Sequence, residues 1–232
     1  MADTETREAQ NQPQIDTYRA AGPATMGPWT SHIWRSDPRH LAFLLARYKF
    51  CAKLLEGKQR VLEVGCGDAF GTRVVLQTVG SVHAIDFEPL VLDDARERLA
   101  AEGETRVSFE SCDLTLAPPT GRFDAAFSLD VIEHVSPDQE AVFLDHICAS
   151  LERDAVLIVG TPNLCAQQYA SEASRAGHIN LKTAATLRDW LARRFVNVFS
   201  FSMNDEVVHT GYAPMAHYLL ALAVGLRDEE RS

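Results

Sequence analysis

Residues 61–71 read Val61-Leu62-Glu63-Val64-Gly65-Cys66-Gly67-Asp68-Ala69-Phe70-Gly71, and this stretch decides the fold. Its apolar, β-prone beginning predicts a buried strand. The glycines at positions 65, 67 and 71 then let the backbone turn sharply and approach a ligand closely. Glu63 lies inside the apolar run, where burial of a carboxylate without a partner costs free energy. A cationic or hydroxyl-rich ligand is one partner that would explain it.

Two ligand-binding loops compete as interpretations of this stretch. The dinucleotide fingerprint, G-x-G-x-x-G, holds a pyrophosphate at a helix N-terminus. The S-adenosylmethionine (AdoMet) loop of class I methyltransferases reads E/D-x-G-x-G-x-x-x-G. The third glycine comes one position late for the first pattern, whereas Glu63 fits the second. A carboxylate suits the ammonium and sulfonium of AdoMet and would repel a pyrophosphate. A glycine-rich turn without any ligand is the third interpretation.

The bulk composition limits the class of protein. The chain has 232 residues, 46% of them hydrophobic, which suffices for one α/β domain with a full core. Its formal charge of −10, without a basic stripe, argues against nucleic acid and anionic membranes as partners. The cysteines form no C-x-x-C pair, so we expect buried thiols in a reducing compartment. No apolar run is long enough to span a membrane and the N-terminus lacks a signal peptide's basic start, so we expect a cytoplasmic protein.

The N-terminal part differs in composition from the rest. Residues 1–14 are polar and are predicted to be disordered. Residues 15–36 carry aromatic side chains among Gly and Pro, and we expect this segment to close over the active site as a lid, with capping of a sheet edge as the alternative. Residues 37–232 are expected to form the main domain.

From residue 37 onward, predicted helices and strands alternate. Asp37-Pro38 starts a helix that Gly57 ends. Further helices are predicted over 71–79, 89–102, 136–151 and 183–194, and strands over 60–64, 81–86, 106–111, 123–129, 155–160 and 195–202. This alternation predicts an α/β fold with a mostly parallel, doubly wound sheet, whose ligands bind at the carboxyl ends of the strands. Residues 203–214 are predicted to be a loop, and the apolar run 216–225 fits either a helix or a strand.

Carboxylates follow the predicted strands at the edge where ligands bind. Asp86 comes about twenty residues after the glycines, where an acid can accept both ribose hydroxyls. Asp113 is placed to receive an adenine amino group, with the Leu114 amide near the ring. The fourth strand ends at Asp130, beside the other end of such a ligand. Each acid alone could be only a helix cap, but together with the loop they indicate an adenosine-containing cofactor.

On these residues the chain resembles class I AdoMet-dependent methyltransferases over residues 37–225. The matching segments are Val61-Leu62-Glu63-Val64-Gly65-Cys66-Gly67, Ala84-Ile85-Asp86, Cys112-Asp113-Leu114 and the stretch 123–135, which ends in Ile132-Glu133-His134-Val135. That ending, with Thr161-Pro162-Asn163 and Gly177-His178-Ile179-Asn180, is similar to small-molecule O-methyltransferases of the ubiquinone-biosynthesis type. Residues 204–218 do not match that subfamily, so its substrate is not carried over.

The resemblance implies a seven-stranded sheet with helices on both faces and an antiparallel last strand, so 216–225 is expected to be that strand. It also implies which residues bind the cofactor: Glu63, Gly65, Cys66, Gly67, Asp86, Phe87, Asp113, Leu114, Ser128, Leu129 and Asp130.

The implied reaction is in-line transfer of a methyl group from AdoMet to a small-molecule acceptor, which leaves S-adenosyl-L-homocysteine (SAH). A hydroxyl acceptor also needs a base near neutral pH, and His134, His178 and His209 are the candidates. N-methylation, a protein acceptor and a non-catalytic AdoMet-fold subunit are the alternatives, while Glu63 and the late third glycine disfavour a nicotinamide oxidoreductase. No metal is expected from residues 205–209, because Val207-Val208 argues against the helix that would bring Glu206 and His209 together. Whether the chain is a monomer or a homodimer is left open.

Overall fold

The computed structural model describes residues 5–227. Eight strands form one sheet. In chain order they are β1 (Arg60–Val64), β2 (Ser81–Asp86), β3 (Val107–Ser111), β4 (Phe123–Leu129), β5 (Leu151–Pro162), β6 (Phe195–Asn204), β7 (Val207–His209) and β8 (Tyr218–Leu226). The order across the sheet is β3-β2-β1-β4-β5-β8-β6-β7. Strands β1 to β5 pair in parallel, and β8 pairs antiparallel with both β5 and β6. The mostly parallel sheet and the C-terminal strand are thereby confirmed.

The helices cover both faces of the sheet. They are α1 (Gln12–Ala21), α2 (Pro28–Ser36), α3 (Arg39–Leu54), α4 (Thr72–Val75), α5 (Pro89–Ala101), α6 (Glu140–Ala149), α7 (Glu172–Gly177) and α8 (Ala184–Leu191). Alternate residues of a strand point to opposite faces, so Leu62 and Val64 pack in one core and Val61 in the other. Helices α6 and α8 supply apolar residues to the first core, and α3, α4 and α5 supply them to the second.

The sheet has one strand more than the seven that the resemblance implies. Residues 203–214 were expected to be a loop, but β6 extends to Asn204 and turns at Asp205, whose φ is +49°. Val207 and Val208 then pair with Asn204 and Met203 as the short edge strand β7. The same β-branched pair that argued against a helix therefore forms a hairpin, and the loop prediction is wrong for these residues.

Several element bounds also differ from expectation. The helix after the glycine loop is only one turn long, Thr72–Val75. Helix α6 begins at Glu140, after a turn in which the Gln139 amide donates to the Ser136 carbonyl, and a 3-10 helix, Ile132–His134, precedes that turn. Residues 5–14 are not disordered: a 3-10 helix, Ala9–Asn11, leads into α1. Pro13 starts that helix with its fixed φ, and α1 buries none of its residues. The remaining residues of that prediction, 1–4, lie outside the described residues, as do 228–232 at the other end.

The division at residue 36 stays a prediction. In the described part of the chain, residues 5–227, no helix has both the length and the apolar character that crossing a membrane requires.

Candidate active site

The glycine loop after β1 is fixed by hydrogen bonds to the end of β2. The amides of Gly65 and Cys66 both donate to the Ile85 carbonyl, at 2.8 and 3.0 Å, and the Gly67 amide donates to Asp86 Oδ2 at 2.9 Å. Gly65 has a φ of +74°, a region that L side chains disfavour. A Cβ at that position would also lie 2.2 Å from Val131 Cγ2. The loop therefore needs glycine both for its conformation and for its packing.

A first cavity of about 240 Å³ opens at the carboxyl ends of β1, β2 and β4. Five of the predicted cofactor residues line it: Gly65, Asp86, Phe87, Asp113 and Leu114. The rest of its wall is largely apolar, with Ile85, Val131, Val135 and Phe143. A carboxylate beside an apolar slot suits the ribose hydroxyls and the flat base of an adenosine, so the residues present fit AdoMet.

The two acids of this cavity are held by local hydrogen bonds. Asp86 Oδ1 accepts from the Glu88 amide at 3.0 Å, in addition to the bond from Gly67 to Oδ2. Asp113 accepts from the amide and the hydroxyl of Thr115, at 2.8 and 2.7 Å, and both bonds go to Oδ1. These bonds orient the carboxylates before any ligand arrives, and each still has lone pairs for a donor.

Glu63 is buried behind the loop and does not line this cavity. Its Oε2 accepts from the Thr72 hydroxyl at 2.7 Å, while Oε1 has no hydrogen-bond partner among the described residues. Burial raises the pKa of Glu63 to about 8. The structure therefore places Glu63 where it joins the loop to the start of α4. Direct contact with the ammonium of AdoMet remains a prediction.

The other predicted cofactor residues also lie outside the wall of the first cavity: Cys66, Gly67, Ser128, Leu129 and Asp130. Gly67 supports the aromatic ring of Trp29, which a Cβ at Gly67 would approach to 2.8 Å. Asp130 lines a second cavity instead.

This second cavity, of about 950 Å³, meets the first at His134, which lines both. Five of the chain's eight histidines face it: His32, His40, His134, His178 and His217. Asp37, Asp130 and Glu133 add carboxylates to the same wall. The result is a polar space directly beside the proposed cofactor cavity.

An ion pair shapes the floor of the second cavity. Arg47 Nη1 donates to both oxygens of Asp130, at 2.9 and 2.7 Å, and its guanidinium lies 3.7 Å from the centre of the Tyr218 ring. Asp130 has a φ of +59°, which is uncommon for a residue other than glycine. Such strain clusters at functional sites when the surroundings hold the backbone in place.

The segment from Ile132 to His134 brings a carboxylate and an imidazole together. Glu133 is fully buried, and its Oε2 accepts from the Thr161 hydroxyl at 3.0 Å. His134 Nδ1 lies 3.0 Å from the Gly177 carbonyl, and the ring centroids of His134 and His178 are 5.1 Å apart. Burial, together with the nearby Asp130, raises the pKa of Glu133 to about 8. Burial also lowers the pKa of His178, as does the nearby His134.

His209 does not join these groups. It lies on β7, where Nε2 contacts Asn204 Oδ1 at 3.0 Å and Nδ1 accepts from the Gly211 amide at 2.9 Å. It lines neither of the two cavities. The expectation that His209 faces the pocket from a loop is therefore wrong, and the physical reason is the hairpin that the chain forms at Asp205.

The N-terminal segment contacts the glycine loop and lines the second cavity. Thr30 donates its amide and hydroxyl to the carboxylate of Asp68 in the glycine loop, at 2.8 and 2.9 Å, and Trp29 lies over Gly67. His32 and Ile33 of the same helix line the second cavity. These contacts support the lid, which remains a prediction.

Three histidines that line the second cavity were not predicted from the sequence: His32, His40 and His217. Nothing in the local sequence marks these residues, because the fold brings them together from distant positions along the chain. Glu133 and Asn163 fall inside quoted motifs, but no ligand role was predicted for them.

Known proteins support the class that the loop and the fold define. A family model described as a methyltransferase domain matches residues 61–154. The ubiquinone biosynthesis O-methyltransferase of Xanthomonas campestris pv. campestris is 31% identical over 123 residues, which are 52% of this chain and 50% of that protein. Phosphoethanolamine N-methyltransferase 2 of Caenorhabditis elegans is 38% identical over 87 residues, 37% of this chain and 20% of that protein. The chain thus spans half or less of the length of these curated relatives.

Solved structures share the fold. The N-methyltransferase NodS from Bradyrhizobium japonicum, in complex with SAH, has a TM-score of 0.60 at 17% identity, over 90% of this chain and 98% of that chain. A DhpI–SAM–HEP complex has a TM-score of 0.60 at 18% identity, over 97% and 100%. The domain match and the relatives support a class I AdoMet-dependent methyltransferase with AdoMet as its cofactor, and the solved structures share its fold.

Proposed function

We propose that the chain methylates a small molecule that binds in the second cavity, with AdoMet in the first. The observation that carries this proposal is the meeting of an adenosine-shaped cavity and a histidine-rich cavity at His134. In-line transfer needs the donor and the acceptor side by side, with water excluded. Two adjoining cavities with a shared wall supply that arrangement.

In this proposal the first cavity binds the nucleoside part of the cofactor. Asp86 accepts hydrogen bonds from the ribose hydroxyls, and Asp113 accepts one from the adenine amino group. Phe87, 73% exposed at the cavity mouth, and Leu114 cover the faces of the base. When bound, AdoMet supplies a methyl group already activated by the sulfonium charge. The glycine loop and Asp130 flank the place where the methionine end would reach the second cavity.

The N-terminal helix α2 is proposed to exclude water. Its two hydrogen bonds from Thr30 to Asp68 attach it to the glycine loop. Because the same helix also lines the second cavity, its position couples cofactor binding to closure over the acceptor.

We propose a hydroxyl oxygen as the methylated atom. Its support is the pair of imidazoles on the cavity wall, His134 and His178, because a hydroxyl must lose its proton near neutral pH. The Nδ1 of His134 faces the Gly177 carbonyl at 3.0 Å. In the tautomer that donates this bond, Nε2 keeps its lone pair. N-methylation is the second candidate, and the similarity to phosphoethanolamine N-methyltransferase 2 favours it.

The proposal is tested by cofactor binding and by turnover. We expect calorimetry to detect SAH binding to the purified chain and Asp86→Ala to abolish it, while the exposed Asp93→Ala on α5 leaves it unchanged. A panel of phenols, catechols and primary amines, assayed for release of SAH, then identifies the acceptor class. Absence of SAH binding to the wild-type chain would contradict the proposal.

A further inference from the structure

The second cavity holds a group of potential metal ligands that the methyl transfer does not by itself require. One ligand atom each from Glu133, His134 and His178 lies within 4.8 Å of the other two, and no other such group occurs among residues 5–227. We propose that these three residues bind a divalent cation. The expectation that the chain holds no metal rested on residues 205–209, which lie elsewhere, in the β7 hairpin.

A buried oxygen of Glu133 without a hydrogen-bond partner supports this site. Glu133 is fully buried, and its Oε2 is satisfied by Thr161, but Oε1 has no hydrogen-bond partner among the described residues. An unsatisfied buried carboxylate oxygen is costly, and a cation is the partner that offsets this cost most fully. Glu133 is also among the residues that line the second cavity, so this oxygen lies beside the space that receives ligands.

The orientation of the His134 imidazole also supports the site. Metal-binding histidines usually donate their other ring N–H to a carbonyl or carboxylate, which fixes the tautomer and the ring plane. His134 Nδ1 lies 3.0 Å from the Gly177 carbonyl, which directs its Nε2 away from the backbone. Nε2 of His134 is then the ring nitrogen that is directed toward a metal in the cavity.

Backbone hydrogen bonds also fix the three ligands relative to one another. The amides of Ile179 and Asn180 both donate to the Glu133 carbonyl, at 2.8 and 3.0 Å. The residue that follows His178 is therefore bonded directly to the residue that precedes His134. A metal site needs such support because its ligands must keep their geometry without the cation.

The donor set identifies the chemical class of the cation. Two imidazole nitrogens and one carboxylate suit Zn²⁺ and other first-row divalent cations better than Mg²⁺ or Ca²⁺, which favour oxygen ligands. Asp130 lies on the same wall, but Arg47 already bonds to both of its oxygens. Three protein ligands leave coordination positions for water or for a ligand from the cavity.

This geometry points to a methyl acceptor that coordinates the cation through an oxygen atom. This step rests on the proposed function. A bound divalent cation lowers the pKa of a hydroxyl that it coordinates. His134 and His178 would then act as metal ligands and not as free bases.

Direct metal binding tests the site. We would treat tag-free protein with a chelator, remove the chelator, and titrate with Co²⁺ followed by visible absorption and with Zn²⁺ followed by calorimetry. We expect one equivalent to bind. Glu133→Gln, His134→Ala and His178→Ala should each weaken binding by about 10- to 100-fold or more, the range that loss of metal-site support produces. His209→Ala removes a histidine outside the cavity and serves as the matched control.

SAH affinity, measured on the same samples, separates this proposal from the function. Wild-type protein that binds SAH but neither Co²⁺ nor Zn²⁺ overturns the metal site and leaves the methyltransferase proposal standing. Wild-type protein that binds metal but not SAH supports the metal site and overturns the methyltransferase proposal. Co²⁺ binding that survives all three substitutions assigns the metal to other residues and also overturns the site. Circular dichroism shows whether each variant is folded, and Glu133→Gln keeps the shape of the side chain should the alanine variants unfold.

Discussion

The two cavities that meet at His134 are built in different ways. The first is formed mainly by the sheet, since most of its residues lie at the ends of β1, β2, β3 and β4, with Phe143 added by α6. The second shares Asp130, Glu133 and His134 after β4, but most of its wall comes from parts that surround the sheet, namely α2, α3 and residues 162–181, with His217 before β8. A cofactor site built from strand ends is little affected by sequence changes in the surrounding helices and loops. An acceptor site built from helices and loops can change while the sheet stays the same. The family model, which matches residues 61–154, covers the strands that form most of the first cavity.

The largest effect should come from the residue that both cavities share. His134→Ala is expected to lower turnover by about 10²- to 10⁴-fold, the range for loss of a general base. If His134 is instead a metal ligand, the substitution lowers turnover by removing the cation that activates the hydroxyl. SAH affinity should change little, because the nucleoside part of the first cavity is formed by other residues. Steady-state turnover and calorimetry measure the two quantities. His209→Ala is the control and should keep full turnover. Equal turnover in His134→Ala and wild-type protein would remove His134 from the chemistry.

The next effect should be specific to the first cavity. Gly65→Ala and Gly103→Ala both place a side chain at positive φ, +74° and +73°, which costs about 1–2 kcal/mol in each variant. Only at Gly65 would the new Cβ meet Val131 at 2.2 Å, whereas at Gly103 no atom lies within 4 Å. We therefore expect Gly65→Ala to lose SAH binding and more stability than Gly103→Ala. Urea unfolding and calorimetry compare them. The same SAH affinity in both variants would contradict the packing argument.

A smaller effect should link the two cavities through α2. Trp29→Ala removes the ring that lies over Gly67, and the dissociation of SAH should become faster by about tenfold, since lids act mainly on release. Trp34 is on the same helix and is 56% exposed, compared with 50% for Trp29. Trp34→Ala should therefore leave the dissociation rate unchanged. Stopped-flow fluorescence of the remaining tryptophans measures the rates. Equal rates in the two variants would mean that α2 is not a lid.

The smallest effect should appear only in the pH dependence of stability. Burial raises the pKa of Glu63 to about 8 in the folded chain, above its ordinary value of 4.5. Between these two values the folded state binds more protons than the unfolded state, so this group makes the free energy of unfolding decrease as pH rises. Glu63→Gln should reduce that decrease between pH 5 and pH 8. The exposed Glu97→Gln should not. Urea titrations at several pH values measure the free energy of unfolding. If its pH dependence is the same in Glu63→Gln and in wild-type protein, the raised pKa of Glu63 is refuted.

The same contrast explains what the sequence could predict. Glu63 to Gly71, Asp86 and Asp113 are recognisable because each lies at or next to the carboxyl end of a predicted strand. The antiparallel β8 followed from resemblance alone, since the periodicity of residues 216–225 fits a helix as well. The edge strand β7 was missed because three residues carry too little pattern to distinguish a strand from a loop. His209 was misplaced for the same reason.

The wall of the second cavity was harder to predict from the sequence. His32, His40 and His217 come together through long-range packing, and each alone looks like an ordinary surface or core histidine. The hydrogen bond from Thr161 to Glu133 likewise joins two segments that are far apart in sequence. Only the three-dimensional arrangement shows that Glu133, His134 and His178 face one another.

The most direct test of the two-cavity account is a crystal structure of the chain with SAH. The account predicts the ribose hydroxyls at Asp86, the adenine between Phe87 and Leu114, and the sulfur at the boundary of the second cavity, facing His134. SAH bound elsewhere, or bound with its sulfur directed away from the second cavity, would contradict the central claim.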